Sequence, residues 1–280
     1  MLFVPGTGDF RTVLTNVTAR PSGTANGTTV TAGGTANTKG AWAQLMPAIS
    51  RDAYGILIQF TNGAASATAR NRLTDIGIDF NGGTSYTVLI PDLVDSGSAP
   101  NTLLGVWYYF PLYIPGGSSI AARSQCLTAS ATCGVHIQLM CDPARPDGIR
   151  AGTSVSAYGV NNATSAGTIV TPGTTAEGNW TSLGTTDRRH WWWQTGMGCN
   201  DTTQTALCYS VDISAGSSTT NNRILIQNQY IYLTAAEQQM NSPLTVGCAA
   251  RVGVGENIYG RIQCSGTPDS NVSLIAYGLN

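Results

Sequence analysis

The chain has 280 residues; only 10% are charged, and 14 basic residues nearly balance 15 acidic ones. That share is far below the usual quarter, and without a basic excess it argues against nucleic-acid binding or attraction to an anionic membrane. No segment approaches the roughly 20 apolar residues that cross a bilayer, and Met1–Pro5 is too short and lacks the basic lead of a signal peptide.

Residues 1–15 contain Leu2, Phe3, Val4, Phe10, Val13 and Leu14, have no counterpart later in the chain, and read as an N-terminal arm. From residue 16 the chain becomes short β-branched and aromatic runs punctuated by Gly, Asn, Ser and Pro, the pattern of strands and tight turns. Strands are expected near 28–32, 41–46, 53–60, 72–79, 86–91, 104–113, 118–126 and 133–140. The segment Asp142-Pro143-Ala144-Arg145-Pro146-Asp147-Gly148 then loses ladder donors at its prolines, which makes 143–150 a stiff linker. Further strands are expected near 153–158, 167–171, 179–184, 190–196, 206–213, 223–233, 244–251, 257–264 and 271–277. The helix signal is confined to Thr234–Met240, which opens with a Thr-x-x-Glu cap. Strands at this spacing indicate an all-β chain of antiparallel, jelly-roll-like sandwiches.

The pattern occurs twice. Gly40, Trp42 and Leu45 recur as Gly178, Trp180 and Leu183, and Ile120, Arg123, Gln125 and Cys126 recur as Ile258, Arg261, Gln263 and Cys264, all 138 residues later. Between them Asp75-Ile76 recurs as Asp212-Ile213. Matches kept in one order point to internal duplication, with one sandwich over 16–142 and a second over 151–280. Shared positions are then scaffold, and specific contacts belong where the copies differ.

Seven cysteines without C-x-x-C spacing suggest bridges rather than a metal site. Cys248 and Cys264 flank a hairpin centred on Glu256, Cys199 and Cys208 flank a turn at Asn200–Thr203, and Cys126 and Cys133 flank Thr128–Ser130. These pairings leave Cys141 as a candidate interchain thiol. The chain lacks a Gly-rich phosphate loop, a Gly-x-Ser-x-Gly elbow and His-Glu-x-x-His, so no catalytic, cofactor-binding or metal-ligating residue is assigned. His136 reads as a solvated strand residue; His190 is tied by spacing to no nucleophile. Trp191-Trp192-Trp193 cannot all point inward on a strand, because side chains alternate. They, with Trp107 and Tyr109, are the candidates for a subunit interface or for stacking on a glycan.

The run Phe110-Pro111-Leu112-Tyr113-Ile114-Pro115-Gly116-Gly117-Ser118-Ser119-Ile120-Ala121-Ala122-Arg123 resembles a pattern in structural proteins of tailed bacteriophages, and Tyr54–Phe60 and Asp75–Asp79 extend the likeness upstream. Copy two departs from it, with Val252-Gly253-Val254-Gly255 at the turn and Trp192-Trp193 in place of Tyr54-Gly55. The resemblance implies a virion component of the collar or neck, tail, fibre-attachment or capsid-decorating class. Such a protein would be made in the host cytoplasm and carried in the particle with other virion proteins; the duplication by itself predicts that it assembles with itself as a trimer or ring. It is expected to be no enzyme and to use no cofactor. The alternative is a receptor-recognition protein that binds host surface glycans through exposed tryptophans.

Overall fold

In the computed structural model, residues 10–16, 27–62, 71–96, 106–143, 150–199, 207–233, 240–241, 247–266 and 272–280 are described, and every regular element among them is a β-strand. In chain order the first half supplies β1 (Phe10–Thr15), β2 (Thr28–Thr31), β3 (Ala43–Met46), β4 (Ala53–Asn62), β5 (Asn71–Asp79), β6 (Thr87–Ser96), β7 (Trp107–Phe110), β8 (Ser119–Cys126) and β9 (Thr132–Pro143). The second supplies β10 (Val155–Tyr158), β11 (Val160–Asn161), β12 (Ala166–Ile169), β13 (Thr181–Thr185), β14 (Trp192–Cys199), β15 (Leu207–Gly216), β16 (Asn222–Leu233), β17 (Met240–Asn241), β18 (Asn257–Cys264) and β19 (Val272–Leu279).

These strands form four antiparallel sheets. In the first, β9 is central, with β1 and β2 sharing one edge and β4 then β7 on the other. The second runs β3-β8-β5-β6. The third centres on β19, with β10 and β12 on one edge and β14 on the other. The fourth runs β13-β18-β15-β16-β17. The order of pairings in the first half thus returns in the second, including a partner for β14 where β7 partners β4: Cys248 bridges Trp193. Each half is a pair of facing sheets in jelly-roll order. Alternation builds the core between them: in β9, Val135, Ile137 and Leu139 are sealed, while His136, Gln138 and Met140 on the other face are half-buried.

Phe10–Thr15, the end of the stretch read as an arm, pairs with β9 and lengthens the first sheet. The helix expected over Thr234–Met240 lies outside the described residues except Met240, which is in strand β17. Strand β6 continues through Pro91, where the sequence reading stopped it. Pro91 needs no ladder donor there because β6 is an edge strand, paired on one side by β5.

Candidate functional site: the outer faces of the sheets

A sandwich normally wets the outer face of each sheet. The second sheet does not. All nine residues of β5 are buried, whereas the matching end of β15 alternates buried and half-buried from Leu207 to Val211. The cause is the third sheet, which packs its outer face on the second. Leu73, Val94 and Gln125, neighbours across β5, β6 and β8, are 0%, 0% and 3% exposed beneath it.

Tyr277 of β19 is the centre of this contact. Its hydroxyl accepts from the Val94 backbone N–H at 2.8 Å and donates to the Asp92 carbonyl at 2.9 Å, so one side chain satisfies two groups on the edge of β6. Tyr108 donates to the Val94 carbonyl at 2.7 Å, and the rings of Tyr108 and Phe110 meet Tyr277 edge-on. Gly196 leaves room for Val94, since a methyl group there would lie 2.5 Å from the valine side chain. Gln125 donates to the Asn162 carbonyl and to Ser165, whose hydroxyl donates to Asn37. Burial raises the hydroxyl pKa values of Tyr108 and Tyr277 well above the ordinary phenol, so both stay neutral and keep donating. One continuous apolar core runs through both halves.

The strand edge presented to Tyr277 is shaped by a bulge found in both halves. Asp92 and Asn228 take left-handed backbone conformations, at φ 50° and 52°. A buried aspartate accepts each of their N–H groups: Asp75 at 3.0 Å and Asp212 at 2.6 Å. Each aspartate is held by an arginine, Arg123 at 2.8 Å and Arg261 at 3.0 Å from Nε, and those guanidiniums lie 4.5 and 4.2 Å over Trp42 and Trp180. The shared Asp, Arg and Trp are therefore a clamp on the bulge. The copies differ around it: Lys39 pairs with both Asp75 and Asp92 in the first half, while in the second Glu177 pairs with Arg261 and Asn228 needs no counter-ion.

The tryptophan run divides three ways. Trp193 is fully buried inside the second sandwich against Tyr158 and His190. Trp192 is 3% exposed, capped where Gly247 leaves space for its ring. Trp191 is half-buried with the Arg150 guanidinium 4.3 Å over it. Tyr109 is 2% exposed and lies across Gly55. Burial removes Trp192, Trp193 and Tyr109 as stacking platforms for a sugar, and leaves Trp107 and Trp191 partly open. The run meets the alternation problem through one core position, one position closed by a neighbouring loop and one cation–π contact.

The cysteines follow the sheets rather than the hairpins. Cys126, Cys133, Cys141, Cys208, Cys248 and Cys264 are free thiols; the Cys199 side chain lies outside the described residues. Cys248 and Cys264 do not face each other, because the two limbs flanking Glu256 enter different sheets: Cys248 bridges Trp193, and Cys264 pairs with Tyr209. Cys126 and Cys133 likewise lie on strands of opposite sheets, beside the buried Arg72, and burial pushes the Cys133 thiol up to about 11. Cys208 accepts a hydrogen bond from Tyr230. Cys141 is fully buried, so it presents no thiol to another chain.

The two histidines occupy opposite environments. His136 is half-buried on the outer face of the first sheet, 2.9 Å from the Thr15 hydroxyl and 3.4 Å from the Gln59 amide. His190 is 2% exposed. The Tyr158 hydroxyl lies 2.7 Å from Nε2 of His190 and 3.2 Å from the Asp187 carboxylate, and so links the two. Burial lowers the His190 pKa to about 4, and the ring stays uncharged at neutral pH. Among the described residues no group of three or more His, Cys, Asp or Glu could hold a metal ion.

Sequence reading missed Tyr277, Val94 and Gln125 as contact residues. The available signals were the apolar Leu73 on a face that should be wet and the replacements of Leu73 by Ser210 and Val94 by Tyr230 between the halves.

No family model matches the chain, and no curated protein matches it. Among solved structures it is similar to PNGF-II at 9% identity and TM-score 0.36, over 85% of this chain and 59% of that one. A second PNGF-II structure is spanned over 64% of its length, so the chain covers less than two thirds of either. It is also similar to a peptide-N(4)-(N-acetyl-β-D-glucosaminyl) asparagine amidase at 9% identity and TM-score 0.27, over 88% of this chain and 98% of that one. A third likeness is to the infectious bursal disease virus Gx strain structure, at 11% identity and TM-score 0.24, over 99% of this chain and 74% of that one. The expectation that the chain is no enzyme is corrected by these neighbours, since an amidase stands among them beside a virus. At such scores the likenesses assign no activity to this chain.

Proposed function

We propose that this chain is a structural protein of a virus particle, of the tailed-phage class that the Phe110–Arg123 run resembles, built from two tandemly duplicated jelly rolls over 16–142 and 151–280. It assembles as a symmetric oligomer, a trimer or ring, in the collar, tail or fibre-attachment region. The observation that carries the reading is the joint between the halves. Leu73, Val94, Tyr108 and Tyr277 are all at or below 2% exposed there and share one core, which makes the chain a rigid two-module block rather than two domains on a tether. Rigid blocks of fixed shape suit a closed shell or ring, where angular error accumulates from copy to copy. The low charge supports the same reading, because a surface covered by neighbouring subunits needs few ions to keep it wet.

Sedimentation velocity of the purified chain, with immunodetection of the chain in purified particles, tests this. The expected result is a concentration-dependent species several times the 29.2 kDa chain mass and a band that stays with the particle through a density gradient. A persistent monomer, absent from particles, overturns it.

A further inference from the structure

We propose that the outer face of the fourth sheet, around Ser210, Tyr230 and Gln263, docks on the outer face of the first sheet of a second copy, around Gln59, His136 and Gln138. The joint within one chain would then be repeated between chains. This deepens the assembly reading above and rests on it.

The argument starts from equivalence. The second and fourth sheets share their strand order, and so do the first and third. Within one chain the second sheet's outer face meets the third's, which uses one surface of each kind. One of each is left without a sheet upon it: the outer face of the fourth, and that of the first, where Gln59, His136 and Gln138 are half-buried beside the buried Leu57 and Tyr109. Pairing register fixes the matching residues. Leu73 is flanked by Val94 and Gln125, and Ser210 is flanked by Tyr230 and Gln263. The covered trio is at most 3% exposed, but Tyr230 is 58% exposed, with Tyr232 beside it at 37%. A tyrosine pair on an open sheet face is the composition of an interface rather than of a wetted surface.

The exchanges across the two contacts are complementary. Within the chain the large residue is Tyr277 on the third sheet and the small one is Val94 on the second. The position of Tyr277, opposite Gln194 on β14, is taken in the first sheet by Gln138, opposite Leu57 on β4. Between chains the large residue is therefore Tyr230 and the smaller is Gln138, so the knob has changed sides. Hydrogen-bonding capacity is kept. The Tyr277 hydroxyl serves one N–H and one C=O across a bulge, and a glutamine amide offers the same one acceptor and a donor. Its counterparts on β16 are the Tyr230 N–H and the Asn228 carbonyl, at the bulge held by Asp212. Trp107, half-buried and paired with Gln59, adds an aromatic ring to the accepting face. The contact joins unlike surfaces, so it propagates head to tail and closes into a ring of whole chains when the rotation allows.

The test mixes two proteins, each carrying Cys208→Ser to silence the neighbouring thiol: one with Tyr230→Cys, the other with Gln138→Cys. A short bis-maleimide is added at a concentration where the wild type is assembled, and cross-linked dimer is measured on denaturing gels. The mixture is expected to give about tenfold more dimer than either protein alone, and Tyr230→Arg is expected to lower the sedimentation coefficient to that of a monomer while leaving the far-ultraviolet circular dichroism of the folded chain unchanged. Wild-type oligomers that cross-link no better in the mixture, or that survive Tyr230→Arg, overturn this face while leaving the assembly reading in place. A wild type that never assembles overturns both.

Discussion

The first and second sandwiches are built to one plan yet use their outer faces in opposite ways. On β5 and β6 the positions of Leu73 and Val94 are sealed beneath Tyr277; on β15 and β16 the same positions hold Ser210 and an exposed Tyr230. The clamp behind each face is unchanged, Asp75 with Arg123 and Asp212 with Arg261. Scaffold positions are repeated because the bulge needs them in both halves. The contact positions of Leu73 and Val94 diverge because each face meets a different surface, while Gln125 recurs as Gln263.

The largest expected effect breaks the comparison at the core. Arg72 and Asp95 face each other across β5 and β6, 1% and 4% exposed, and at the same cross-strand site the second half places Tyr209 opposite Ile231. Asp95→Ile alone is predicted to cost about 3–5 kcal/mol, because it leaves a guanidinium buried without its carboxylate. Arg72→Tyr with Asp95→Ile rebuilds the second half's solution and should recover most of that loss in urea denaturation. A double variant no better than the single would mean that the two cores are not interchangeable there.

Next comes pH. The fold holds His190 neutral with its pKa lowered to about 4 from 6.5, so its contribution is complete above pH 6.5 and is lost as pH falls toward 4, where the unfolded chain takes the proton first. The full difference is about 3 kcal/mol. Urea melts at both ends of that window should show the loss in the wild type and a flatter profile in His190→Gln. His136→Gln should leave the slope nearly unchanged, since that ring is half-buried on an outer face and its downward shift is milder. An equal effect from both variants would contradict the assigned environments.

Tyr277→Phe keeps the ring and removes the hydroxyl that serves Val94 and Asp92, which predicts a loss of about 1–3 kcal/mol from two unsatisfied backbone groups. Denaturation monitored separately in each half should then separate into two transitions; a single unshifted transition would show that the joint does not depend on this hydroxyl. The smallest effect is predicted for Tyr230→Ser in the isolated chain, within about 0.5 kcal/mol, as for an ordinary surface change. A larger loss would mean that Tyr230 supports its own sandwich rather than a neighbour.

Much of the fold was legible in the chain. Strand positions followed from alternation, and the repeated Gly, Trp, Asp and Arg marked the scaffold because each does the same job in both halves: a close backbone approach, a ring beneath a guanidinium, a carboxylate under a bulge. The site was less legible. Spacing paired Cys248 with Cys264 across a hairpin, but the limbs of that hairpin enter different sheets, and sequence distance carries no information about which sheet a strand joins. The triple tryptophan looked like an exposed platform because alternation alone cannot foresee the loop at Gly247 that covers Trp192 or the arginine that covers Trp191.

The sequence by itself determined the β class, the spacing of the strands and the residues common to both halves, since these depend on local backbone preference and on which face of a strand is apolar. Only the tertiary structure decided which outer face is covered. That depends on how one sandwich turns onto the other, a long-range event in which Tyr277 reaches Val94 and Asp92, more than 180 residues earlier in the chain.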